Sequence, residues 1–260
     1  MCPLNTLTVS SHQFDESRKV TYLSIIIPAH NEAQRLPDTL RAIDAFISSQ
    51  SYSVEVLVVE NASVDETAQV VRSYGKGHQH VSLLQEKIRG KGRAVRRGML
   101  AAKGEFRFMC DADLSMSIEQ LVRFLPPQST DFDVAIGSRE VSGAVRFHEP
   151  VFTHIRGRVF SNLVKLFALP DFEDTQCGFK CFTAQAALDL FSVQKLDGMS
   201  FDVEVLYIAR KRDYRIVEVP VDWHFHRETR VRMMQDSLGM LLDILALRRN
   251  WLDGKYTRTR

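Results

Sequence analysis

Short apolar segments alternate with amphipathic segments four times in the first half of the chain, and this alternation constrains the fold more than any other feature. The apolar segments are four to six residues long and rich in Val, Ile and Leu, which is typical of strands buried on both faces. Each is followed by polar residues and then by apolar residues at helical spacing. The pattern predicts an α/β fold with a mostly parallel central sheet flanked by helices. The predicted strands are Tyr22–Ile27, which Pro28 closes, Val54–Val59, Val81–Leu84 and Phe106–Cys110.

Helices are predicted from apolar periodicity and from residues that start or stop a helix. Residues 63–66, Ser-Val-Asp-Glu, have capping-box spacing and predict a helix that runs to about Tyr74 and stops at Gly75. Residues 90–93, Gly-Lys-Gly-Arg, are predicted as a basic loop before the next helix. The second half is predicted to contain strands at Val134–Gly137, up to Phe182, and at Ile216–Val221, which Pro220 assigns to a sheet edge, and helices at Val151–Leu169, Phe201–Lys211 and Met233–Arg249.

Composition excludes several classes of protein. The 260 residues are 45% hydrophobic and 25% charged, which is ordinary for a soluble globular chain. A net charge of +2, with no aromatic side chains beside the basic run at 89–97, argues against nucleic-acid binding. The sequence contains no run of about 18 apolar residues, so no membrane span is predicted. The four cysteines lack Cys-x-x-Cys spacing and are predicted to be reduced thiols of a cytoplasmic protein, with a Cys177–Cys181 redox pair as the alternative.

Two carboxylates, Asp111 and Asp113, follow the fourth predicted strand in the segment Met-Cys-Asp-Ala-Asp-Leu-Ser. Oxygen ligands on a turn suit a hard cation such as Mg²⁺ or Mn²⁺. The spacing alone fits an ordinary turn equally well, and the pair at Asp131 and Asp133 has the same spacing at the entry to a strand. Position separates the two readings, because ligands of parallel α/β sheets bind beyond the carboxyl ends of the strands. Clusters at 30–32, 60–61, 91–93 and 111–113 all follow strands, so they are predicted to share one rim.

These segments together resemble the family-2 glycosyltransferases of GT-A fold, from about Leu23 to about Leu252. Residues 25–32, Ile-Ile-Ile-Pro-Ala-His-Asn-Glu, 60–67, Glu-Asn-Ala-Ser-Val-Asp-Glu-Thr, and 90–94, Gly-Lys-Gly-Arg-Ala, are similar to that family's three nucleotide-contacting segments, and Asp-Ala-Asp at 111–113 to its metal motif. Residues 137–139, 174–180 and 201–204 most resemble the dolichyl-phosphate and polyprenyl-phosphate sugar synthases. The glucosyl branch is nearer, because mannose synthases often carry Gln where this chain has Ser115.

The resemblance implies an inverting, metal-dependent transfer of glucose or mannose from a nucleotide-diphospho-sugar, UDP-glucose or GDP-mannose, to a polyprenyl or dolichyl phosphate. It implies Mg²⁺ or Mn²⁺ at Asp111 and Asp113. The resemblance places a GT-A catalytic domain at 20–230. The polar segment 1–19 is predicted to be a flexible tail, and 231–260 an amphipathic C-terminal helix with a tail. The residues expected to contact the donor are Pro28, Ala29, Asn31, Glu32, Glu60, Asn61, Lys91, Arg93 and Asp111.

The acceptor decides which further catalytic groups are needed. A lipid phosphate is already anionic near neutral pH, so it needs a cation rather than a base, and Arg139 is the first candidate, with Arg156 and Arg158 behind it. A hydroxyl acceptor would need a carboxylate base, with Asp174 or Asp202 as candidates and loop bracing as their alternative role. His226 is a further candidate to face the metal, against an ordinary surface position.

Two other functions stay open: a family-2 transferase acting on a polysaccharide or small hydroxylated acceptor, and a nucleotide-sugar binder without catalysis. A lipid acceptor would bring the protein to the cytosolic face of a membrane as a peripheral protein. Apolar and basic residues share faces in the predicted helices at 151–169 and 233–249, so these helices are candidate membrane surfaces, or else they only pack on the sheet.

Overall fold

The structure, a computed structural model of the chain, describes residues 21–150, 158, 161–162, 164–225 and 233–257, with the backbone alone at 233–238, 240 and 241. The predicted tail at 1–19, Arg156, His226 and most of the predicted helix at Val151–Leu169 lie outside these residues. Within that predicted helix, residues 158, 161–162 and 164–167 are helical, as expected.

Seven strands form the central sheet of the described chain, and two more form a small separate sheet. The strands are β1 (Leu23–Ala29), β2 (Val54–Asn61), β3 (Val81–Glu86), β4 (Phe106–Met109), β5 (Val134–Ser138), β6 (Val145–Phe147), β7 (Lys180–Thr183), β8 (Ile216–Pro220) and β9 (Asp222–His224). The central order is β3-β2-β1-β4-β7-β5-β8, and β6 pairs with β9. Strands β1 to β4 are parallel to one another and β5 is parallel to β8, whereas β7 is antiparallel to both β4 and β5. The mostly parallel sheet is confirmed.

Helices cover both faces of the central sheet. They are α1 (Leu36–Ser48), α2 (Thr67–Gly75), α3 (Lys91–Ala101), a 3₁₀ helix (Ile118–Phe124), α4 (Ala184–Val193), α5 (Phe201–Lys211) and α6 (Met233–Leu252). Side chains alternate between faces along β1, so that Ile25 and Ile27 pack with α1 and the 3₁₀ helix while Ile26 packs with α3 on the other face. The buried apolar residues accordingly form two cores, one on each side of the sheet.

Three local predictions differ from the structure. The capping box at 63–66 is wrong, because α2 begins at Thr67 and the Ser63 hydroxyl accepts the Asn31 N–H at 3.1 Å instead. Strand β1 continues through Pro28, which breaks no bond to β4 because that ladder ends at Ile26. The basic loop at 90–93 is also wrong, since Lys91 is the first residue of α3.

The C-terminal helix α6 lies on the face that holds α3, α4 and α5. Its Ile244 and Leu247 are buried in that core, while Leu242, Leu245 and Leu252 are 59%, 51% and 85% exposed. Within the residues that the structure describes, no helix is both long enough and apolar enough to cross a membrane.

Candidate active site

The Asp111–Asp113 turn lies directly beyond the carboxyl end of β4. The Ser115 N–H donates to the Asp113 carboxylate at 3.0 Å, and Leu114 has a φ of 44°, so the turn is tightly wound. The Thr39 hydroxyl of α1 donates to the Ala112 carbonyl at 2.5 Å and fixes the turn from one side. The predicted position of the two carboxylates at the sheet rim is therefore observed.

Asp111 lies between α3 and the loop that enters β7. Its Oδ1 is 2.7 Å from the Lys91 Nζ, at the N-terminus of α3. On the other side, a Cβ at Gly178 would lie 2.3 Å from the Asp111 Oδ2, so only glycine fits there. Burial raises the pKa of Asp111, but Lys91, Lys180 and Arg139 together outweigh burial and lower the pKa below its ordinary value of 3.8. For Lys91, burial lowers the pKa, but Asp111, Asp202 and Asp113 together outweigh burial and raise the pKa, so the side chain stays cationic.

A second, deeper ion pair lies behind Lys91. The Lys180 Nζ is 2.7 Å from the Asp202 Oδ1 and donates to the Cys177 carbonyl at 2.6 Å, with both charged side chains almost fully buried. Burial raises the pKa of Asp202, although the Lys180 ammonium opposes it. Asp202 thus lies at the first turn of α5 as a brace between α5 and β7, which agrees with its alternative structural role.

Arg139, just past β5, forms a two-pronged ion pair with Asp174. The Arg139 Nε and Nη2 donate to the two Asp174 oxygens at 2.6 and 2.9 Å, and the Arg139 and Gln176 backbone N–H groups add bonds of 3.1 Å each. Burial raises the pKa of Asp174, but Arg139 outweighs it and lowers the pKa from 3.8 to about 2. A carboxylate with so low a pKa is a weak base near neutral pH.

The small sheet of β6 and β9 contacts both Arg139 and the turn that carries Asp111 and Asp113. The ring of Trp223, on β9, lies 5.4 Å from the Arg139 guanidinium carbon. The His224 N–H donates to the Ser115 carbonyl at 2.8 Å, which ties β9 to the Asp111–Asp113 turn. The His224 side chain is exposed and stacks on Phe147 at 4.5 Å.

The candidate donor residues after β1 and β2 bond mainly to one another. Asn61 accepts the Gly90 N–H at 2.7 Å and donates to the Ile88 carbonyl at 2.7 Å, so it links β2 to the start of α3. Glu60 accepts the Ser63 N–H at 2.5 Å and a Gln85 amide hydrogen at 3.1 Å. Burial raises the pKa of Glu60, but these hydrogen bonds outweigh it and lower the pKa.

The segment after β1 is bound to the segment after β2. Asn31, with a φ of 56°, accepts the Val64 N–H at 2.8 Å. Glu32 pairs with Arg35 at 2.8 Å, and its N–H donates to the Thr67 hydroxyl at 2.8 Å. Pro28 and Ala29 form the last residues of β1 and so lie at the same rim.

Arg93, another candidate donor residue, is paired within the protein. Its Nε donates to the Asp197 carboxylate at 2.9 Å. Sequence reasoning gave no role to Lys180, Gly178 or Trp223. The segment 174–180 that resembles the family contained the first two, but only tertiary contacts show what they touch.

The sequence profile described as "Glycosyl transferase family 2" matches residues 24–189. The chain is 37% identical over 236 residues to a dolichyl-phosphate beta-glucosyltransferase of Drosophila melanogaster, covering 85% of this chain and 72% of that one. It is 32% identical over 253 residues to the dolichyl-phosphate beta-glucosyltransferase of Homo sapiens, covering 90% and 77%.

Solved structures share the fold. Mannosyl-3-phosphoglycerate synthase from Rubrobacter xylanophilus superposes with a TM-score of 0.67 at 18% identity, covering 92% of this chain and 77% of that one. Glucosyl-3-phosphoglycerate synthase from Mycobacterium tuberculosis, in complex with Mn²⁺ and UDP-glucose, gives a TM-score of 0.62 at 16% identity, covering 87% and 79%. The predicted GT-A fold is confirmed.

Proposed function

Because the chain belongs to glycosyl transferase family 2, and is thus a glycosyltransferase, we propose that it transfers a hexose, with inversion, from a nucleotide-diphospho-sugar to dolichyl phosphate or another polyprenyl phosphate. Glucose from UDP-glucose is the proposed donor sugar, since the relatives of Drosophila and human are named beta-glucosyltransferases. One observation carries the proposal: two partly exposed cations lie at the site, Lys91 at 2.7 Å from Asp111 and Arg139 at 2.6 Å from Asp174. Two such cations suit a reaction between two phosphate-bearing substrates.

The two carboxylates of the turn fit a divalent cation, and we propose Mg²⁺ or Mn²⁺. Both are partly exposed hard oxygen donors. Among the described residues no three His, Cys, Asp or Glu side chains converge on a metal position. Mg²⁺ commonly takes one or two carboxylates and fills its other positions with water and substrate phosphate, so two suffice. Asp113 would hold the cation directly and Asp111 directly or through water, and the cation would supply Lewis-acid neutralisation of the leaving diphosphate.

Lys91 is proposed to bind the diphosphate of the donor. It is cationic, 22% exposed, and occupies the first position of α3, where the unpaired backbone N–H groups of a helix favour an anion. Glu60 and Asn61 hydrogen-bond to residues 63 and 85–90, so their side chains fix the segments around the proposed donor site.

The acceptor proposal depends on Asp174. Its carboxylate accepts four hydrogen bonds and its pKa is about 2, and Asp202 is buried against Lys180. Neither candidate base is therefore suited to deprotonate a hydroxyl. A phosphate acceptor arrives already anionic and needs a cation, which Arg139 provides with 21% of its side chain exposed. This favours a lipid phosphate over a hydroxylated acceptor.

Peripheral contact with the cytosolic face of a membrane is proposed through α6. Its exposed leucines, at 242, 245 and 252, recur on the side of the helix opposite to the buried Ile244 and Leu247. Arg248 and Arg249 are adjacent in sequence to this stripe. An apolar stripe beside basic residues suits an interface with anionic lipid.

The test is a matrix of donors and acceptors with the full chain. UDP-glucose and GDP-mannose, each radiolabelled, are incubated with dolichyl phosphate, with dolichol, and with a soluble glucan, in Mn²⁺ and then in EDTA. The proposal predicts label in dolichyl phosphate only, with UDP-glucose strongly preferred over GDP-mannose and activity lost in EDTA. Transfer to dolichol or the glucan at comparable rates would refute a phosphate acceptor. Tight nucleotide binding with no transfer to any acceptor would identify a non-catalytic binder.

A further inference from the structure

The loop between α4 and α5, residues 194–200, packs directly on the first turn of α3. The Gln194 side chain donates to the Gly92 carbonyl at 3.0 Å. The Arg93 N–H and Nε donate to the Asp197 carbonyl and carboxylate at 3.3 and 2.9 Å. This loop therefore contacts the two residues that directly follow Lys91 in sequence.

Glycines let the two backbones approach this closely. A Cβ at Gly90 would lie 2.4 Å from the Asp197 carbonyl oxygen, and one at Gly92 would lie 2.6 Å from the Leu196 carbonyl oxygen. Atoms at such distances cannot coexist, so the two backbones are in direct contact and a movement of the loop toward α3 would displace the first turn of α3. The position of Lys91 consequently depends on where residues 194–200 lie.

Glu204 holds the loop from the opposite side. Its fully buried carboxylate accepts the Lys195 N–H at 3.1 Å and the Leu196 N–H at 2.7 Å, as well as the Tyr256 hydroxyl at 2.6 Å. Burial raises the pKa of Glu204, while these three donors oppose the rise. Tyr256 follows α6 in the chain and is only 3% exposed. A second hydrogen bond also connects this loop to the C-terminal part of the chain: the Ser200 hydroxyl donates to Asp243 of α6 at 2.7 Å.

We propose that Tyr256 and Glu204 are positioning residues for the donor site, acting through residues 194–200 on the first turn of α3 and thereby on Lys91. The contacts form one continuous series from the segment after α6 to the Lys91–Asp111 pair. The inference rests on the proposed function only for the role of Lys91 toward the donor diphosphate. The linkage between Tyr256 and α3 is independent of that role.

A matched pair exists elsewhere in the fold. The Tyr214 hydroxyl donates to the buried Asp189 carboxylate at 2.8 Å, as Tyr256 does to Glu204. Asp189 also pairs with Arg212 at 2.6 Å, beyond the end of α5, and the Arg212 Nη2 donates to the Tyr256 carbonyl at 2.5 Å. None of these contacts involves the Tyr256 hydroxyl or the first turn of α3. Tyr214→Phe thus removes the same chemical group from the same kind of partner, without the contact to residues 194–200.

The experiment compares Tyr256→Phe with Tyr214→Phe in the full chain. Backbone hydrogen exchange at residues 91–95, calorimetric binding of UDP and GDP with Mn²⁺, and KM for donor and for dolichyl phosphate are measured, with thermal unfolding to compare stability. For Tyr256→Phe we expect donor KM and nucleotide Kd to rise about 3- to 30-fold. Exchange at 91–95 should become faster, and the acceptor KM should stay unchanged. Tyr214→Phe should lower Tm to a similar degree and change none of these.

Equal behaviour of the two variants, or a rise in the acceptor KM alone, would overturn the proposal. If wild type transfers no sugar, the proposed function fails, yet exchange and nucleotide binding still decide whether Tyr256 positions α3. Should Tyr256→Phe not fold, Ser200→Ala removes the parallel link to Asp243 and is expected to speed exchange at 91–95 and raise the nucleotide Kd. Unchanged values in Ser200→Ala would then count against the proposal.

Discussion

The Arg139–Asp174 ion pair gives a prediction whose size follows from the structure. The pKa of Asp174 is 3.8 in the reference state and about 2 in the fold, and a tenfold change in an acid dissociation constant corresponds to about 1.4 kcal/mol. Ionisation of Asp174 therefore contributes about 2.5 kcal/mol to the free energy of unfolding at pH 7. Removing one partner of a fully buried pair costs about 3 to 5 kcal/mol. The cost here should lie at or below the lower end of that range, because Arg139 is partly exposed. Asp174→Asn should therefore lower the free energy of unfolding by about 2.5 to 3.5 kcal/mol.

The sign of the pH dependence follows from the lowered pKa. A carboxyl whose pKa is lower in the folded state stabilises the fold above its unfolded pKa, and this stabilisation is lost as the pH falls toward its folded pKa. For Asp174 the window runs from about 4 down to about 2. At pH 3 roughly half of the 2.5 kcal/mol should remain.

The assay is urea unfolding of wild type and Asp174→Asn at pH 7 and pH 3. Other acidic groups titrate in both proteins, so the difference between the two isolates Asp174. Asp222→Asn is the matched control, because the Arg123–Asp222 pair has a similar distance of 2.8 Å but is substantially exposed and should be worth less than about 1 kcal/mol. If Asp174→Asn costs no more than Asp222→Asn, or its cost is the same at both pH values, the ion-pair argument is wrong.

Three further predictions concern the site and the proposed membrane surface. Asp113→Ala should reduce transfer at least about a hundredfold in saturating Mn²⁺, because the leaving diphosphate loses its neutralising cation. The control Asp131→Ala, in the other Asp-x-Asp pair, should keep wild-type activity. Residual activity of Asp113→Ala above about a tenth of wild type would exclude Asp113 as the essential ligand. Gly178→Ala should raise the donor KM by about tenfold or more, because its Cβ would lie 2.3 Å from Asp111 Oδ2, while Gly239→Ala, with nothing within 4 Å, should not; equal KM values would refute the close-approach argument. Arg248→Glu with Arg249→Glu should weaken co-sedimentation with anionic vesicles at low salt by about 1 kcal/mol per charge removed without changing nucleotide binding, and equal partitioning would remove α6 from the membrane surface.

Much of the fold could be predicted because its signals are local. Strands β1, β2, β4 and β5 are short apolar runs ended by polar residues, and Pro220 correctly assigned β8 to a sheet edge. The rim position of Asp111 followed from the same logic, since parallel strands end at one edge. The cysteines described, Cys110, Cys177 and Cys181, are free thiols, as predicted, and all three are buried.

What could not be predicted depends on contacts between distant residues. The antiparallel insertion of β7 between β4 and β5 leaves no local trace, because its short apolar pattern fits either direction. Helix α4 and the short strand β6 were not predicted. Ser63 has the right spacing for a cap but bonds to Asn31, and only the packed structure decides between these partners. The pairing of Arg139 with Asp174, 35 residues apart, is invisible for the same reason.

Both cations that are proposed to bind phosphate are already paired within the protein, Lys91 with Asp111 and Arg139 with Asp174. A largely buried cation without a partner destabilises the fold, so Asp111 and Asp174 stabilise Lys91 and Arg139 before any substrate binds. A substrate phosphate must then compete with a carboxylate for each cation, and its greater charge allows it to do so. A hydroxyl brings no charge to that competition, and it would also need a base that Asp174, with a pKa of about 2, does not provide. The same ion pair therefore disfavours a hydroxyl acceptor in two independent ways, through binding and through proton transfer.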